Sequence, residues 1–210
     1  MQCTVNNSAV TTIKESRTSG AILVLFLIAV LASAGLYPVC AQPATEEYKV
    51  KAAFLFHFAQ LVDWPAGALN AGDQSLNVCV YEDEPRLREL QGTLEGKPIA
   101  NRTLHVRVLS QAQGLQGCNI FFLSRDEVRH QAAVLKSLRG QPVLTVGETD
   151  TFLSDGGMIR LRLEEEKVRF DINLESADAA HLKISSRLLL LATTVTLGGG
   201  EKGGRRSDAR

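Results

Sequence analysis

Apolar positions along the chain follow two periods, and the change from one to the other marks the elements. Over residues 48–62, Ala52, Leu55, Phe56 and Ala59 recur at helical spacing, while Phe54, Phe58 and Leu61 broaden the apolar face. The pattern predicts an amphipathic helix ended by Pro65, with Trp64-Pro65 leading into a loop of Gly, Asn and Asp. Residues 76–81, Leu-Asn-Val-Cys-Val-Tyr, are apolar nearly throughout, as in a strand covered on both faces. Residues 84–90 suit a short helix with Pro85 in its first turn. Alternation over 103–109 predicts a second strand, and residues 118–123 a third. Ser124 is the expected N-cap of a helix over 126–138, with Glu127 completing a capping box and Gly140 ending it. Residues 142–147 form the fourth expected strand.

The period changes again after Gly157. Ile159, Leu161 and Leu163 alternate with Arg160, Arg162 and Glu164, and Val168, Phe170 and Ile172 alternate with Arg169, Asp171 and Asn173. A turn at Glu165-Glu166 pairs Leu163 with Val168, Leu161 with Phe170 and Ile159 with Ile172. On the opposite face it pairs Arg160 with Asp171. Such consistent register predicts an antiparallel hairpin with one buried face. A last helix is expected from about 175 to 195, with Ile184, Leu188, Leu191 and Val195 facing a core and Leu189 and Leu190 widening the stripe. The expected fold is a single α/β domain. Its mixed, mainly parallel sheet is flanked by helices and followed by the hairpin and a helix.

The N-terminus reads differently. Lys14 and Arg17 precede an uncharged stretch from Ala21 to Ala34, and Val39 and Ala41 stand at the −3 and −1 positions of a cleavage site. Residues 1–41 are therefore expected to be a signal peptide, 42–197 the exported domain and 198–210 a flexible tail. The alternatives are an uncleaved anchor or a lipoprotein signal through Cys40. The apolar run falls short of the roughly 20 residues that span a bilayer. Val39 occupies the position where lipoprotein signals usually have Gly, Ala or Ser. Cleavage leaves 169 of the 210 residues, enough for one well-buried core.

Cleavage also removes Cys3 and Cys40, leaving Cys79 and Cys118 in an oxidising compartment. A disulfide between them is the favoured reading; two separate buried thiols are the alternative. The 23 Lys and Arg balance 23 Asp and Glu, so no basic excess points to nucleic acid.

Catalytic motifs are not found. The histidines of the exported part, His57, His105, His130 and His181, form no HxxxH or HExxH pair. There is no strand-borne GxGxxG, no GxxxxGK[ST] and no GxSxG. Neither metal nor cofactor is expected, and the chain does not read as an enzyme. Two residues stand out: Trp64, the single tryptophan, which either caps the core or lines a partner surface, and Arg187, which either pairs with a buried carboxylate or faces water.

Several segments together resemble the YfiR-like periplasmic proteins. These are the run from Tyr48 through Phe58 and on to Val62-Asp63-Trp64-Pro65, then Leu76-Asn77-Val78-Cys79-Val80 and Cys118-Asn119-Ile120-Phe121-Phe122. They continue with Val143-Leu144-Thr145-Val146-Gly147, Gly156-Gly157-Met158-Ile159 and Val168-Arg169-Phe170-Asp171-Ile172-Asn173. The resemblance implies an α/β domain without known catalysis. It implies a periplasmic repressor that binds the periplasmic sensor part of an inner-membrane diguanylate cyclase, lowering cyclic-di-GMP and with it biofilm formation. An OmpA-like outer-membrane lipoprotein relieves the repression. The family disulfide carries over to Cys79 and Cys118. The second cysteine pair of some members has no counterpart here, since the matching segment holds Phe152, and that puts redox control by such a pair in doubt. A partner surface is expected near the hairpin and last helix, with Trp64, Phe170 and Arg187 as its candidates. The oligomeric state is open, a homodimer included. The competing reading is a periplasmic small-molecule sensor or carrier using the crevice at the strand ends.

Overall fold

The computed structural model describes residues 43–69, 74–81, 87–110 and 114–197. The signal-peptide reading of 1–41 and the tail reading of 198–210 lie outside them. The first helix, α1 (Pro43–Leu61), stops before Trp64-Pro65. Val62 and Asp63 leave it as a two-residue strand, β1 (Val62–Asp63).

The main sheet starts with β2 (Ser75–Tyr81). The next helix is α2 (Leu87–Leu94); residues 84–86 of the expected helix lie outside the described residues. Then come β3 (Pro98–Ile99), β4 (Arg102–Leu109) and β5 (Ile120–Leu123). A short 3-10 turn (Arg125–Glu127) separates β5 from α3 (Val128–Leu138). The expected capping box does not form. Ser124 makes no side-chain cap bond, and Glu127 is spent inside the tighter turn, so α3 begins two residues late. The chain continues with β6 (Leu144–Gly147), β7 (Ile159–Glu164) and β8 (Lys167–Asn173).

Strand order across the sheet is β10-β8-β7-β6-β5-β2-β4-β3, where β10 is Thr194–Thr196. The five strands β4, β2, β5, β6 and β7 run parallel. The fold is thus a mixed, mostly parallel sheet with helices, as the alternation of periods predicts. Side-chain alternation divides the core in two. Val78, Val80, Ile120 and Phe122 meet Leu55 and Phe58 of α1 and Leu90 and Leu94 of α2. On the other face Cys79, Tyr81, Phe121 and Leu123 meet Val134, Leu135 and Leu138 of α3. Cover on both faces explains why these strands are apolar throughout.

The β7–β8 hairpin has the register read from the sequence: Leu163 opposite Val168, Leu161 opposite Phe170, Ile159 opposite Ile172 and Arg160 opposite Asp171. Arg160 Nη2 and Arg162 Nε reach Asp171 Oδ2 at 2.7 and 3.1 Å.

The single long C-terminal helix is a correction. Residues 174–196 divide into α4 (Leu174–Ala179), β9 (Lys183–Ile184), α5 (Ser186–Leu191) and β10. His181 turns the chain at φ +58°, and Ser185 then caps α5, its side chain accepting the Leu188 N–H. The β-branched run Thr193-Thr194-Val195-Thr196 leaves α5 as a strand parallel to β8. Of the predicted stripe, Leu188 is buried, Ile184 and Val195 are half-buried, and Leu191 is exposed. No helix among the described residues is long and apolar enough to cross a membrane.

Candidate functional site

The disulfide sits under the sheet. Cys79 Sγ and Cys118 Sγ are bonded, their Cα atoms 5.8 Å apart, joining the middle of β2 to the approach of β5. Both cysteines are buried. The same approach is fastened by polar contacts: Asn77 N–H donates to Asn119 Oδ1 at 2.7 Å, and Asn77 Nδ2 to Gly117 O at 2.9 Å. Arg107 Nη1 donates to Gln116 O at 2.7 Å. The bond therefore anchors a rigid floor.

A second feature lies where β5 and β6 end, on the side where open α/β sheets hold ligands. Glu148, 4% exposed, follows β6 directly. Its Oε1 meets Lys51 Nζ at 2.7 Å, and its Oε2 accepts from the Tyr48 hydroxyl and the Arg125 N–H, each at 3.2 Å. Lys51 also pairs with Glu47 and lies 4.3 Å above the Tyr48 ring. A depression of about 190 Å³ opens beside this cluster, lined also by Asp126 and Arg162. One cation held between two carboxylates, each short contact filled from inside the protein, ties α1 to the sheet rather than presenting a reactive group. Among the described residues no group of three His, Cys, Asp or Glu could hold a metal ion.

Trp64 provides the third feature. The short β1 pairs antiparallel with β9, setting Val62 opposite Ile184 and Asp63 opposite Lys183, and Ser185 N–H donates to Leu61 O at 2.9 Å. This clasp holds Trp64 half-buried, its ring against the core. Its indole Nε1 is buried and meets no acceptor among the described residues. A depression of about 470 Å³ opens here, lined by Asp63, Trp64, Pro65, Ala66, His181 and Lys183. Aromatic, acidic and basic groups thus share one recess, a composition suited to a partner's side chain or a small polar molecule.

Phe170 does not belong with Trp64 as a surface residue. It is 3% exposed, with ring centroids 5.6 and 5.2 Å from Phe54 and Phe58, and that burial removes it from any partner surface. Its inward direction follows from the hairpin parity that also buries Leu161. Arg187 is exposed on α5, in keeping with the reading that faces it to water. No local pattern marks His181 and Lys183 as members of the Trp64 recess, because their approach depends on β9. Likewise, Lys51 and Glu148 are joined only by the fold; nothing local marks either as buried.

The model of the YfiR/HmsC-like family matches residues 48–193. Among solved structures, the ABC domain from Streptococcus pneumonia in complex with L-Trp is similar at 10% identity and a TM-score of 0.45. The likeness covers 61% of this chain and 57% of that one. A conserved domain protein from Vibrio cholerae O1 biovar eltor is similar at 9% identity and a TM-score of 0.44, over 71% of this chain and 60% of that one. The chain thus spans about three fifths of the length of either structure, and likenesses of this size carry no functional argument.

Proposed function

Because the chain belongs to the YfiR/HmsC-like family, we propose that it is a periplasmic negative regulator of cyclic-di-GMP signalling, exported by cleavage after Ala41. It binds the periplasmic sensor part of an inner-membrane diguanylate cyclase and favours the inactive state of that enzyme. The family match over 48–193 is the observation that carries this reading. The physical requirement is modest. A domain outside the membrane influences a cytoplasmic active site only through differential affinity for two states of the membrane protein. That needs a binding surface and no catalytic group.

The Trp64 recess is the surface we assign to the partner. It is concave, it combines an aromatic face with both signs of charge, and a two-residue clasp holds it against the core. An OmpA-like outer-membrane lipoprotein that competes for the same surface would relieve the repression. The test is to delete the gene and measure cellular cyclic-di-GMP, alongside co-purification with the sensor part of the cyclase. A rise in cyclic-di-GMP together with co-purification is expected; an unchanged level in the deletion strain refutes the proposal.

A second reading, a small-molecule sensor, is favoured by the size of the same recess, about 470 Å³, and by the buried indole N–H. A thermal-shift screen separates the two, since a ligand bound to the folded state raises its melting temperature.

A further inference from the structure

One end of the eight-stranded sheet is only partly closed. The outermost strand there, β3, pairs with β4 at Pro98 opposite Thr103 and Ile99 opposite Arg102. Beyond those positions β4 runs on to Leu109 with no strand beside it among the described residues. The direction of its main-chain groups follows from its hydrogen bonds. Thr103 N–H donates to Gln74 O at 2.7 Å, so residue 103 faces β2, and 105, 107 and 109 follow it. Leu104 takes the opposite direction: its N–H donates to Lys97 O at 2.8 Å, and its O accepts the Gly96 N–H at 2.9 Å. By the same alternation Val106 and Val108 turn their N–H and C=O groups away from the sheet.

A side chain covers the first of these groups. Glu95 Oε2 accepts the Val106 N–H at 2.8 Å, standing where the carbonyl of a neighbouring strand would stand. Glu95 Oε1 meets His105 Nδ1 at 2.8 Å. Both side chains are close to half exposed, so a competing acceptor can displace the carboxylate. The Val106 carbonyl and both main-chain groups of Val108 face outward without such a cover among the described residues. Val108 is 40% exposed and Val106 half-buried, on the face whose Leu104 enters the core. The opposite face bears His105 and Arg107, and β4 contains no acidic residue. Cations alone would be the ordinary guard of a sheet edge. Here they stand beside two valines and open main-chain groups, the features by which an edge takes up an extended segment.

We propose that the outer edge of β4, residues 106–109, is a strand-addition site for an extended segment of another protein in which acidic and apolar residues alternate, with Glu95 as its removable cover. Charge selects the occupant. A second copy of β4 would bring like cations together, which disfavours self-pairing. A segment with Asp or Glu at every second position meets His105 and Arg107, and lays its apolar residues beside Val106 and Val108. Main-chain bonds to residues 106 and 108 supply the affinity, and the alternating side chains the selectivity. This inference does not rest on the regulatory reading, because the β4 edge and the Trp64 recess share no residue.

Titrating the purified protein into a blocked, fluorescently labelled heptapeptide of alternating glutamate and valine tests it. Saturable binding is expected, with shifts of the Val106 and Val108 amide resonances. Glu95→Ala uncovers the Val106 N–H and removes a like charge, so it should lower the dissociation constant at least about threefold. Damage to the fold would not produce such a gain. Val108→Pro removes an outward N–H at an edge position that tolerates proline, and should raise the constant about tenfold with an unchanged dichroism spectrum. A peptide with lysine in place of glutamate, or one N-methylated at alternate amides, should not bind. Absence of binding by both the wild type and Glu95→Ala, or no gain from Glu95→Ala, overturns the proposal. So does equal binding of the lysine or N-methylated peptide, or full binding by a folded Val108→Pro protein.

Discussion

Lys51 shows how much a single residue's role depends on the fold. Its sequence setting, a Lys in an amphipathic helix, is that of a solvated charge, yet its side chain is 5% exposed and bound to Glu148 at 2.7 Å. Removing one member of a buried pair leaves the other charge uncompensated, at a cost of about 3–5 kcal/mol. Lys51→Met should therefore lower stability by about 3 kcal/mol or more in urea denaturation, while Lys51→Met with Glu148→Leu should recover much of that loss. A double variant as unstable as the single one would show that the pair's value lies in the Tyr48 and Arg125 bonds to Glu148. Glu95 is the opposite case, half exposed. Its carboxylate accepts the Val106 N–H at 2.8 Å and meets His105 Nδ1 at 2.8 Å. These contacts, the backbone bond first, hold its pKa below the ordinary glutamate value. A depressed folded-state value contributes stability that is present above the unfolded pKa and lost as pH falls through the folded one. Glu95→Gln should flatten the acid side of the stability profile slightly, and the difference should shrink in high salt.

At the scale of elements, what the sequence reveals depends on whether one pattern has one solution. The β7–β8 hairpin was legible because both faces agree: a slip of one residue would bury Arg160 and Arg162 and expose Leu161. Its turn is less favourable than its strands. Glu165 and Glu166 take φ of +49° and +61°, the left-handed region where a side chain is strained and where Asn-Gly is preferred. Replacing Glu165-Glu166 by Asn-Gly should raise stability by about 1 kcal/mol or more, seen as a higher melting midpoint with an unchanged dichroism spectrum. No gain would place the strain elsewhere in the hairpin. The C-terminal stretch was illegible for the opposite reason. Four consecutive leucines, 188–191, fit any helical phase, so a stripe through Ile184 and Val195 is only one of several the run allows. The signals that decide it were local, Ser185 as N-cap and the β-branched 193–196 run. The turn at His181 has only a weak sequence mark, since His takes the left-handed region more often than most residues but far less readily than Gly. The displaced start of α3 has a similar cause: a capping-box spelling was present, but the chain used it for a 3-10 turn.

At the scale of the whole molecule, the division of labour between its faces determines where a partner can bind. Helices cover both sides of the central strands, and the disulfide and its surrounding hydrogen bonds tie the floor together, so the proposed partner surface would lie at the margins. The Trp64 recess is such a margin, built from two segments more than a hundred residues apart, 63–66 and 181–183, that meet through one two-residue pairing. If that recess receives the sensor part of the cyclase, its energetics should be concentrated in the aromatic anchor, as at other interfaces where Trp contributes most. Trp64→Ala should then weaken binding by about 2 kcal/mol or more, near thirtyfold in dissociation constant. Because Trp64 also packs on the core, that variant alone would confuse lost binding with lost stability. Lys183→Glu separates them: Lys183 is exposed beside Asp63, so its reversal alters the charge of the recess while leaving the buried core untouched. Isothermal titration of both variants against the sensor part, with melting curves in parallel, decides the matter. Weakened binding by Lys183→Glu at an unchanged melting temperature places the partner in the recess. Full binding by a folded Trp64→Ala protein would move the interface off this margin.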